Sequence, residues 1–280
     1  MNTIKKLLAG AFAFALAAAI LPNGVSAADA KARPKVLVFT HWMGFRHSSL
    51  PLGEQTIKEI GEKSGVYDTV GLQGYDQKKD TIDLSMITAD YLKQFDALIF
   101  FTQGDPPLTD DAKKAILDFV KNGKGYVGMH CGADSFYQWP EYGANLSGAY
   151  FNGHGSVNNK PLTLIVEDQK HPATKMLGKT WVIADEFYTY KPESFSRDKV
   201  RVLLSVDSEN SDLTGQKMTK GGDFPLAWCK TYEKGRCFYT ALGHREDVWT
   251  NAVYQETLLG GIKWVLGLEK GDATPMGAKK

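Results

Sequence analysis

Five of the six histidines lie at the ends of predicted strands or beside glycines, where an imidazole can move protons or bind a metal. The most informative is His130, because Gly128-Met129-His130-Cys131-Gly132 has the spacing of the strand-to-helix turn that exposes the nucleophile of many hydrolases. An imidazole there favours acid–base chemistry or metal binding over covalent catalysis. Cys131 is one residue too late to replace the nucleophile, so we expect it to pack in the core.

A second imidazole and a pair of carboxylates complete the candidate catalytic set. His244 ends the run Thr240–His244, and Asp185-Glu186 precedes a short aromatic stretch. Neighbouring residues of a strand face opposite sides, so only one of the two carboxylates can reach a shared cleft, and we favour Glu186. The predicted catalytic residues are therefore His130, His244 and Glu186.

Other side chains are candidates for substrate contacts. Arg46-His47 offers a fixed cation beside a titratable ring, and the turn at Gln103-Gly104 offers backbone N–H groups to an oxyanion. His154 lies between two glycines, as a lid residue or an exposed side chain. Trp139, Trp228 and Tyr188 can present flat faces to a sugar ring or pack in the core. The predicted substrate-binding residues are Arg46, His47, Gln103, Gly104, His154 and Tyr188.

The same imidazoles, with a carboxylate, are a donor set that suits zinc. No His-x-x-x-His or Cys-x-x-Cys spacing specifies such a site. The sequence therefore leaves two uses of these residues open: proton transfer by free side chains, or chemistry assisted by a divalent metal such as zinc.

The first half of the chain alternates buried strands with helices, and these elements must position the candidate residues. Continuous apolar runs are typical of strands buried on both faces, and capping residues and glycines mark the helix ends. Such alternation indicates parallel βαβ units, whose ligands collect at the carboxyl ends of the strands. The predicted strands are Lys35–Thr40, Tyr67–Leu72, Phe95–Thr102 and Gly125–Met129, and the predicted helices are Ser49–Lys63 and Thr109–Lys121.

The second half has more strand character and ends in an amphipathic helix over Asn251–Leu266. Its last two strands are expected to form a hairpin around a three-residue turn at Glu233–Gly235, which sets Cys229 opposite Tyr239. The three cysteines cannot all pair, and we expect free thiols. The predicted strands are Pro161–Val166, Trp181–Tyr190, Val200–Val206, Phe224–Tyr232 and Arg236–Gly243.

The N-terminus has the three parts of a secretory signal peptide. Lys5 and Lys6 precede an apolar run from Leu7 to Leu21, and small residues before Ala27 are typical of a signal-peptidase cleavage site after that residue. The mature protein is thus expected in the periplasm or outside the cell, with no membrane span left after cleavage. A net charge of +1 over 280 residues argues against a nucleic-acid partner. We predict one domain over residues 35–268 and a flexible tail over residues 269–280.

Five segments together resemble the trehalose-utilisation (ThuA-like) family over almost the whole mature chain: Val38–Thr40, Phe45–His47, Gly128–Asp134, Asp185–Tyr188 and Gly235–His244. The resemblance implies the fold of class I glutamine amidotransferases, an α/β, flavodoxin-like three-layer fold with a mainly parallel central sheet. The C-terminal half would add antiparallel strands. His130 would stand where an amidotransferase has its cysteine, so the glutaminase reaction is not expected.

The resemblance also implies carbohydrate catabolism, with trehalose or oxidised (keto) glycosides as substrates. Proton abstraction beside a keto group needs a base and a group that stabilises the enolate, which two histidines and an acid can supply. The first hypothesis is therefore an exported sugar-processing enzyme. The alternatives are a periplasmic carbohydrate-binding or accessory module without turnover and, third, an amidohydrolase that uses Cys131.

Overall fold

The computed structural model describes residues 32–76, 82–156 and 160–277, and these contain eleven strands and five α-helices. The strands are β1 (Lys35–Trp42), β2 (Asp68–Gly71), β3 (Ala97–Gln103), β4 (Gly125–Met129), β5 (Phe151–His154), β6 (Pro161–Val166), β7 (Thr180–Ala184), β8 (Tyr188–Tyr190), β9 (Arg201–Val206), β10 (Pro225–Tyr232) and β11 (Gly235–Thr240). The helices are α1 (Leu50–Ser64), α2 (Ala89–Leu92), α3 (Asp110–Lys121), α4 (Glu246–Trp249) and α5 (Ala252–Val265).

Nine of these strands form one mixed sheet in the order β2-β1-β3-β4-β11-β10-β9-β6-β7. The strands from β2 to β11 run parallel to one another, whereas those from β11 to β7 pair antiparallel. The remaining two, β5 and β8, form a separate antiparallel pair. This arrangement confirms the predicted α/β fold, with parallel strands first and antiparallel strands added in the second half.

Helices cover both faces of the parallel part of the sheet because its strands are apolar on both sides. In β1, Val36 and Val38 belong to the core that includes side chains of α1 and α5. Leu37 and Phe39 point the other way, into the core that includes side chains of α3. Residues of a strand alternate between faces, so one unbroken apolar run supplies both cores.

Local sequence fixes the ends of the main helices. Thr109 caps α3 by accepting a hydrogen bond from the Ala112 N–H, and the first turn carries Asp110 and Asp111, which favour the positive end of the helix dipole. Gly65 ends α1 in the left-handed conformation. Both helices therefore begin and end within one or two residues of their predicted bounds.

The predicted strand Trp181–Tyr190 is wrong as a single element. The chain leaves the large sheet after β7, and residues 185–187 form an irregular link to β8. The Phe187 N–H donates to Ser156 Oγ, and its carbonyl accepts from the Gly155 N–H, so neither group is left for the large sheet. The partner strand β5 contains His154, which the sequence analysis described only as a lid residue or an exposed side chain between two glycines.

The β10–β11 hairpin has a two-residue turn rather than the predicted three-residue turn. Tyr232 pairs with Gly235, and Cys229 pairs with Phe238, one residue away from the expected register. The left-handed residue is Glu233 (φ 52°), whereas Gly235 is required because a Cβ atom there would lie 2.0 Å from the Val120 carbonyl oxygen. All three thiols are free and buried, as expected.

The carboxyl ends of β1, β3, β4 and β11 meet at one edge of the sheet, and the loops that leave them build the candidate site. Among the described residues, no helix is both long and apolar enough to cross a membrane. The predicted signal peptide, residues 1–27, and the end of the predicted tail, residues 278–280, lie outside the described residues. The tail therefore stays a prediction, although Asp272 and Thr274 accept hydrogen bonds from Cys229 and Arg201.

Candidate metal centre and active site

His130 occupies a strained turn directly after β4. Its φ is 40°, in the left-handed region that few non-glycine residues adopt, and a 3₁₀ turn over His130–Ala133 follows. The flanking glycines allow close packing: a Cβ atom at Gly128 would lie 2.9 Å from the Tyr239 ring, and one at Gly132 would lie 3.1 Å from the Phe100 carbonyl oxygen. The kink that the spacing predicts is therefore present, with an imidazole at its centre.

The His130 ring is fixed by backbone and side-chain contacts. Its Nδ1 lies 2.7 Å from the Ala241 carbonyl oxygen, which can only accept, so Nδ1 carries the proton. In the neutral form of the ring Nε2 keeps its lone pair, and it lies 3.0 Å from the Tyr188 hydroxyl. Only one group, a hydroxyl proton or a metal ion, can use that lone pair at a time.

Four side chains from four separate segments converge at this point. His47 follows β1, His130 follows β4, Glu186 lies between β7 and β8, and His244 follows β11. Their donor atoms all lie within 4.8 Å of one another. The His47 ring stands edge-on to both other imidazoles, with ring centroids 4.9 Å from His130 and 5.3 Å from His244. The cluster thus unites the three predicted catalytic residues with His47, which was predicted as a substrate contact.

Glu186 is the hub of the cluster. Its Oε2 lies 3.1 Å from His244 Nδ1 and 3.5 Å from His130 Nε2, while its Oε1 lies 3.3 Å from His154 Nε2. Burial raises the pKa of Glu186, but hydrogen bonding and attraction to His130 and His244 outweigh it and hold the pKa well below its usual range. The carboxylate is therefore ionised at neutral pH.

The pKa values of two imidazoles of the cluster are shifted in opposite directions. Burial, followed by repulsion from His130 and His244, lowers the pKa of His47 to about 2. Burial also disfavours the charged form of His244, but Glu186 outweighs it, and the pKa of His244 is raised. A neutral His47 beside an ionised Glu186 keeps both nitrogen and oxygen lone pairs available in the cluster.

The donor set fits a transition metal. Three imidazole nitrogens and one carboxylate oxygen are the ligand types that zinc binds. The Nδ1 atom of His47 is buried and forms no hydrogen bond with any described residue, whereas His244 Nδ1 is paired with Glu186 Oε2 at 3.1 Å. Buried polar atoms are seldom left without partners. In addition, the Ala241 carbonyl orients His130 as backbone carbonyls commonly orient metal-binding histidines.

Asp185 is a functional residue that the sequence analysis missed. Its side chain is fully buried. Its carboxylate accepts hydrogen bonds from the Gly243 N–H (2.6 Å) and the Arg245 N–H (3.1 Å), on either side of His244. Burial raises the pKa of Asp185, although His130 and these two N–H groups lower it in part. Asp185 therefore anchors the loop that presents His244, a role that only the fold reveals.

The predicted contacts at Arg46, Gln103 and Gly104 do not belong to the cluster. Arg46 is exposed, and its Nε donates to the Tyr75 carbonyl. Gln103 Oε1 accepts from the N–H groups of Gly44 and Phe45, so this side chain holds the loop after β1. The Gly104 N–H already donates to the Asp134 carbonyl and is not available to an oxyanion.

The aromatic residues divide into core and site. Trp139 and Trp228 are 4% and 1% exposed, so neither can offer a face to a sugar. Tyr188 is also buried, but its ring lies 4.5 Å from that of His130, and burial holds the pKa of its hydroxyl well above the usual range. His154 is 46% exposed and stands at the mouth of the site.

The Cys131 thiol is not placed for nucleophilic chemistry. It is fully buried in the core, as expected, and burial together with Asp134 raises its pKa well above the usual range. Since the thiolate is the reactive form, this environment removes the physical basis for an amidohydrolase that uses Cys131.

Comparisons with known proteins agree with this fold. The family model described as ThuA, trehalose utilisation, matches residues 35–265. A ThuA-like protein from Bacteroides uniformis is 25% identical, with a TM-score of 0.67, over 86% of this chain and 95% of its own. One from Parabacteroides merdae is 22% identical, with a TM-score of 0.68, over 88% and 96%. A search of curated protein sequences found no match.

Proposed function

The chain belongs to the ThuA family of trehalose utilisation, and on that premise we propose that it is an enzyme that acts on a carbohydrate with the help of a divalent transition metal. His47, His130, Glu186 and His244 hold the metal, for which zinc is the first candidate. The observation that carries the proposal is the convergence of four donor atoms within 4.8 Å, together with the buried Nδ1 of His47, which has no hydrogen-bond partner among the described residues.

The substrate class is a keto-glycoside, such as the keto derivative of trehalose. A zinc ion in this donor set supplies a Lewis acid for a sugar carbonyl oxygen. The Tyr188 hydroxyl, 3.0 Å from His130 Nε2, is placed to donate a hydrogen bond to a substrate oxygen. Tyr188 thereby changes partner from His130 to the substrate when the site is filled.

His154 is the imidazole left to move protons. Its Nε2 lies 3.3 Å from Glu186 Oε1, and its ring is half-exposed at the mouth of the site. Its imidazole takes a proton from the carbon beside the carbonyl, and the electron pair of that C–H bond shifts to the carbonyl oxygen, which gives an enolate. Return of the proton to a carbon or oxygen of the sugar completes the step.

The protein works after export. The basic start, the apolar run and the small residues before Ala27 support a cleaved signal peptide. N-terminal sequencing of protein secreted by the native host tests this: a mature chain that begins at Ala28 is expected, and an intact N-terminus in the cell interior contradicts it.

Metal content provides the first test. Protein loaded with zinc and dialysed should retain one ion per chain, and His244→Asn should lose it, because a ligand is removed at a half-buried position. His171→Asn is the matched control, since His171 is a buried histidine outside the cluster. Wild-type protein that retains no zinc, cobalt or manganese overturns the metal proposal.

Turnover provides the second test. Zinc-loaded protein is incubated with trehalose and with its keto derivatives, and the products are separated by chromatography. His130→Asn should abolish turnover with little change in the melting temperature of the metal-free protein, because asparagine tolerates the left-handed backbone and can still donate to Ala241. Binding of these sugars without any product contradicts the enzyme and favours the carbohydrate-binding module instead.

A further inference from the structure

An exposed phenylalanine stands directly beside the cluster. Phe45 is 61% exposed, the highest exposure of any large apolar side chain in the described part of the chain. Its ring lies edge-on to the His47 ring, with centroids 4.8 Å apart. Single exposed apolar side chains are common on protein surfaces, so exposure alone does not assign a function to Phe45.

The backbone of Phe45 is held in place, which sets it apart from a chance surface residue. Gln103 Oε1 accepts hydrogen bonds from the N–H groups of both Gly44 (2.8 Å) and Phe45 (3.0 Å). Gln103 Nε2 in turn donates to Asp134 Oδ2 at 2.9 Å, beyond the His130 turn. The loop after β1 is thus tied to the loop after β4, and the phenyl ring is presented by a fixed backbone.

The ring of Phe45 is also the outer end of a row of rings that crosses the cluster. Successive centroids are 4.8 Å apart from Phe45 to His47, 4.9 Å from His47 to His130, 4.5 Å from His130 to Tyr188 and 4.4 Å from Tyr188 to Phe151. A molecule that covers Phe45 therefore touches a proposed metal ligand at the same time. The reacting part of such a molecule would lie over the cluster.

We propose that Phe45 is the sugar platform of the site and that it selects pyranose rings. This inference rests on the proposed function, since it takes a carbohydrate as the ligand. A pyranose has a flat face of C–H groups ringed by hydroxyls, and that face covers a phenyl ring while the hydroxyls stay in contact with water and polar groups. An acyclic polyol with the same hydroxyl groups has no such face.

Phe45 acts on binding and not on the chemical step. Burying one face of a phenyl ring is worth about a factor of ten in affinity, roughly half of the effect of burying the whole side chain. Phe45→Ala should therefore raise KM for a keto-glycoside about tenfold with kcat little changed. Phe45→Trp restores the flat face and should restore KM, which a merely structural defect would not do.

The binding of trehalose to zinc-loaded protein, measured by calorimetry, tests the role of Phe45 separately from turnover. Phe45→Ala should weaken trehalose binding about tenfold and leave the zinc content unchanged. Sorbitol, an acyclic polyol, should bind weakly to the wild type and equally weakly to this variant. Val182→Ala is the matched control, because Val182 is 60% exposed on the edge strand β7, outside the cluster.

The outcomes separate the two proposals. Equal trehalose affinity of wild type and Phe45→Ala overturns the platform, as does a wild type that binds sorbitol as tightly as trehalose or binds neither sugar. Binding that depends on Phe45 but leads to no product supports the platform and overturns the enzyme. Loss of zinc in Phe45→Ala contradicts a role confined to the sugar.

Discussion

Replacing Asp185 by asparagine should loosen the metal site without touching any proposed metal ligand. Each carboxylate oxygen accepts one backbone N–H, from Gly243 and from Arg245, and these two bonds bracket His244. Asparagine has one carbonyl oxygen and one NH₂ group. One of the two N–H groups therefore loses its acceptor and faces another donor.

The size of the effect follows from the burial of Asp185. A hydrogen bond to a charged acceptor contributes about 1.5 to 3 kcal/mol, and a buried donor left unpaired costs about 1 to 3 kcal/mol. We therefore expect the free energy of unfolding to fall by about 3 kcal/mol, which lowers the melting temperature by about 5 °C for a chain of this size. Because residues that orient metal ligands typically contribute a factor of 10 to 100 in affinity, zinc should bind about 10- to 100-fold more weakly.

The assay is competition for zinc between the protein and a fluorescent chelator, with the melting temperature measured in parallel. Asp168→Asn is the matched control. Asp168 is a buried carboxylate that accepts from Arg201 and from the N–H groups of Lys170 and His171, so its replacement should destabilise the fold comparably. None of these partners belongs to the cluster, and zinc affinity should stay at the wild-type level.

Two results would refute this reasoning. Unchanged zinc affinity in Asp185→Asn would mean that the loop holds His244 without the carboxylate. An equal loss of affinity in Asp168→Asn would mean that the measurement follows general loosening of the protein rather than the anchor.

Two further predictions concern buried groups outside the metal site. Cys131→Ala should keep zinc binding and turnover, because the thiol is buried and protonated; loss of turnover in a folded variant would revive the cysteine mechanism. Burial lowers the pKa of His171 to about 4, whereas a histidine of the unfolded chain has a pKa of about 6.5. As the pH falls from about 6.5 to about 4, the unfolded state therefore binds more protons than the folded state, and the free energy of unfolding falls by about 3 kcal/mol. Denaturant unfolding curves of His171→Asn should show a smaller decrease in the free energy of unfolding over this pH range than those of the wild type. An identical pH dependence in both proteins would contradict this prediction.

The parallel half of the fold is readable from the sequence because its signals are local. Unbroken apolar runs mark β1, β3 and β4. Thr109 marks a helix start by its side-chain hydrogen bond, and Gly65 marks a helix end because it adopts the left-handed conformation. Since parallel strands end at one edge, the meeting of His130 and His244 also follows from chain order, whereas the position of Glu186 does not. Those expectations depend on neighbours in sequence and on one topological rule.

The predictions that were wrong depend on contacts between segments that are distant in sequence. The segment from Trp181 to Tyr190 has strand-forming residues on both sides of Asp185-Glu186. Its division into two strands depends on bonds to Ser156 and to the loop around His244, which are distant in sequence. Gly235 looks like a turn residue, yet it is required by the nearby Val120 carbonyl. The sequence likewise places His47 at the correct edge, but only the packed loop shows that its ring turns inward and Arg46 outward.

The four proposed ligands come from four segments that are far apart along the chain, and none has another as a near neighbour in sequence. An unfolded chain therefore offers no preformed site, and an ion bound here would be bound by the native state alone. By mass action, zinc at 100 times its dissociation constant would add about 2.7 kcal/mol to the free energy of unfolding. A chelator would then act on the protein as a mild denaturant, and the availability of metal would help to set the fraction of the protein that is folded.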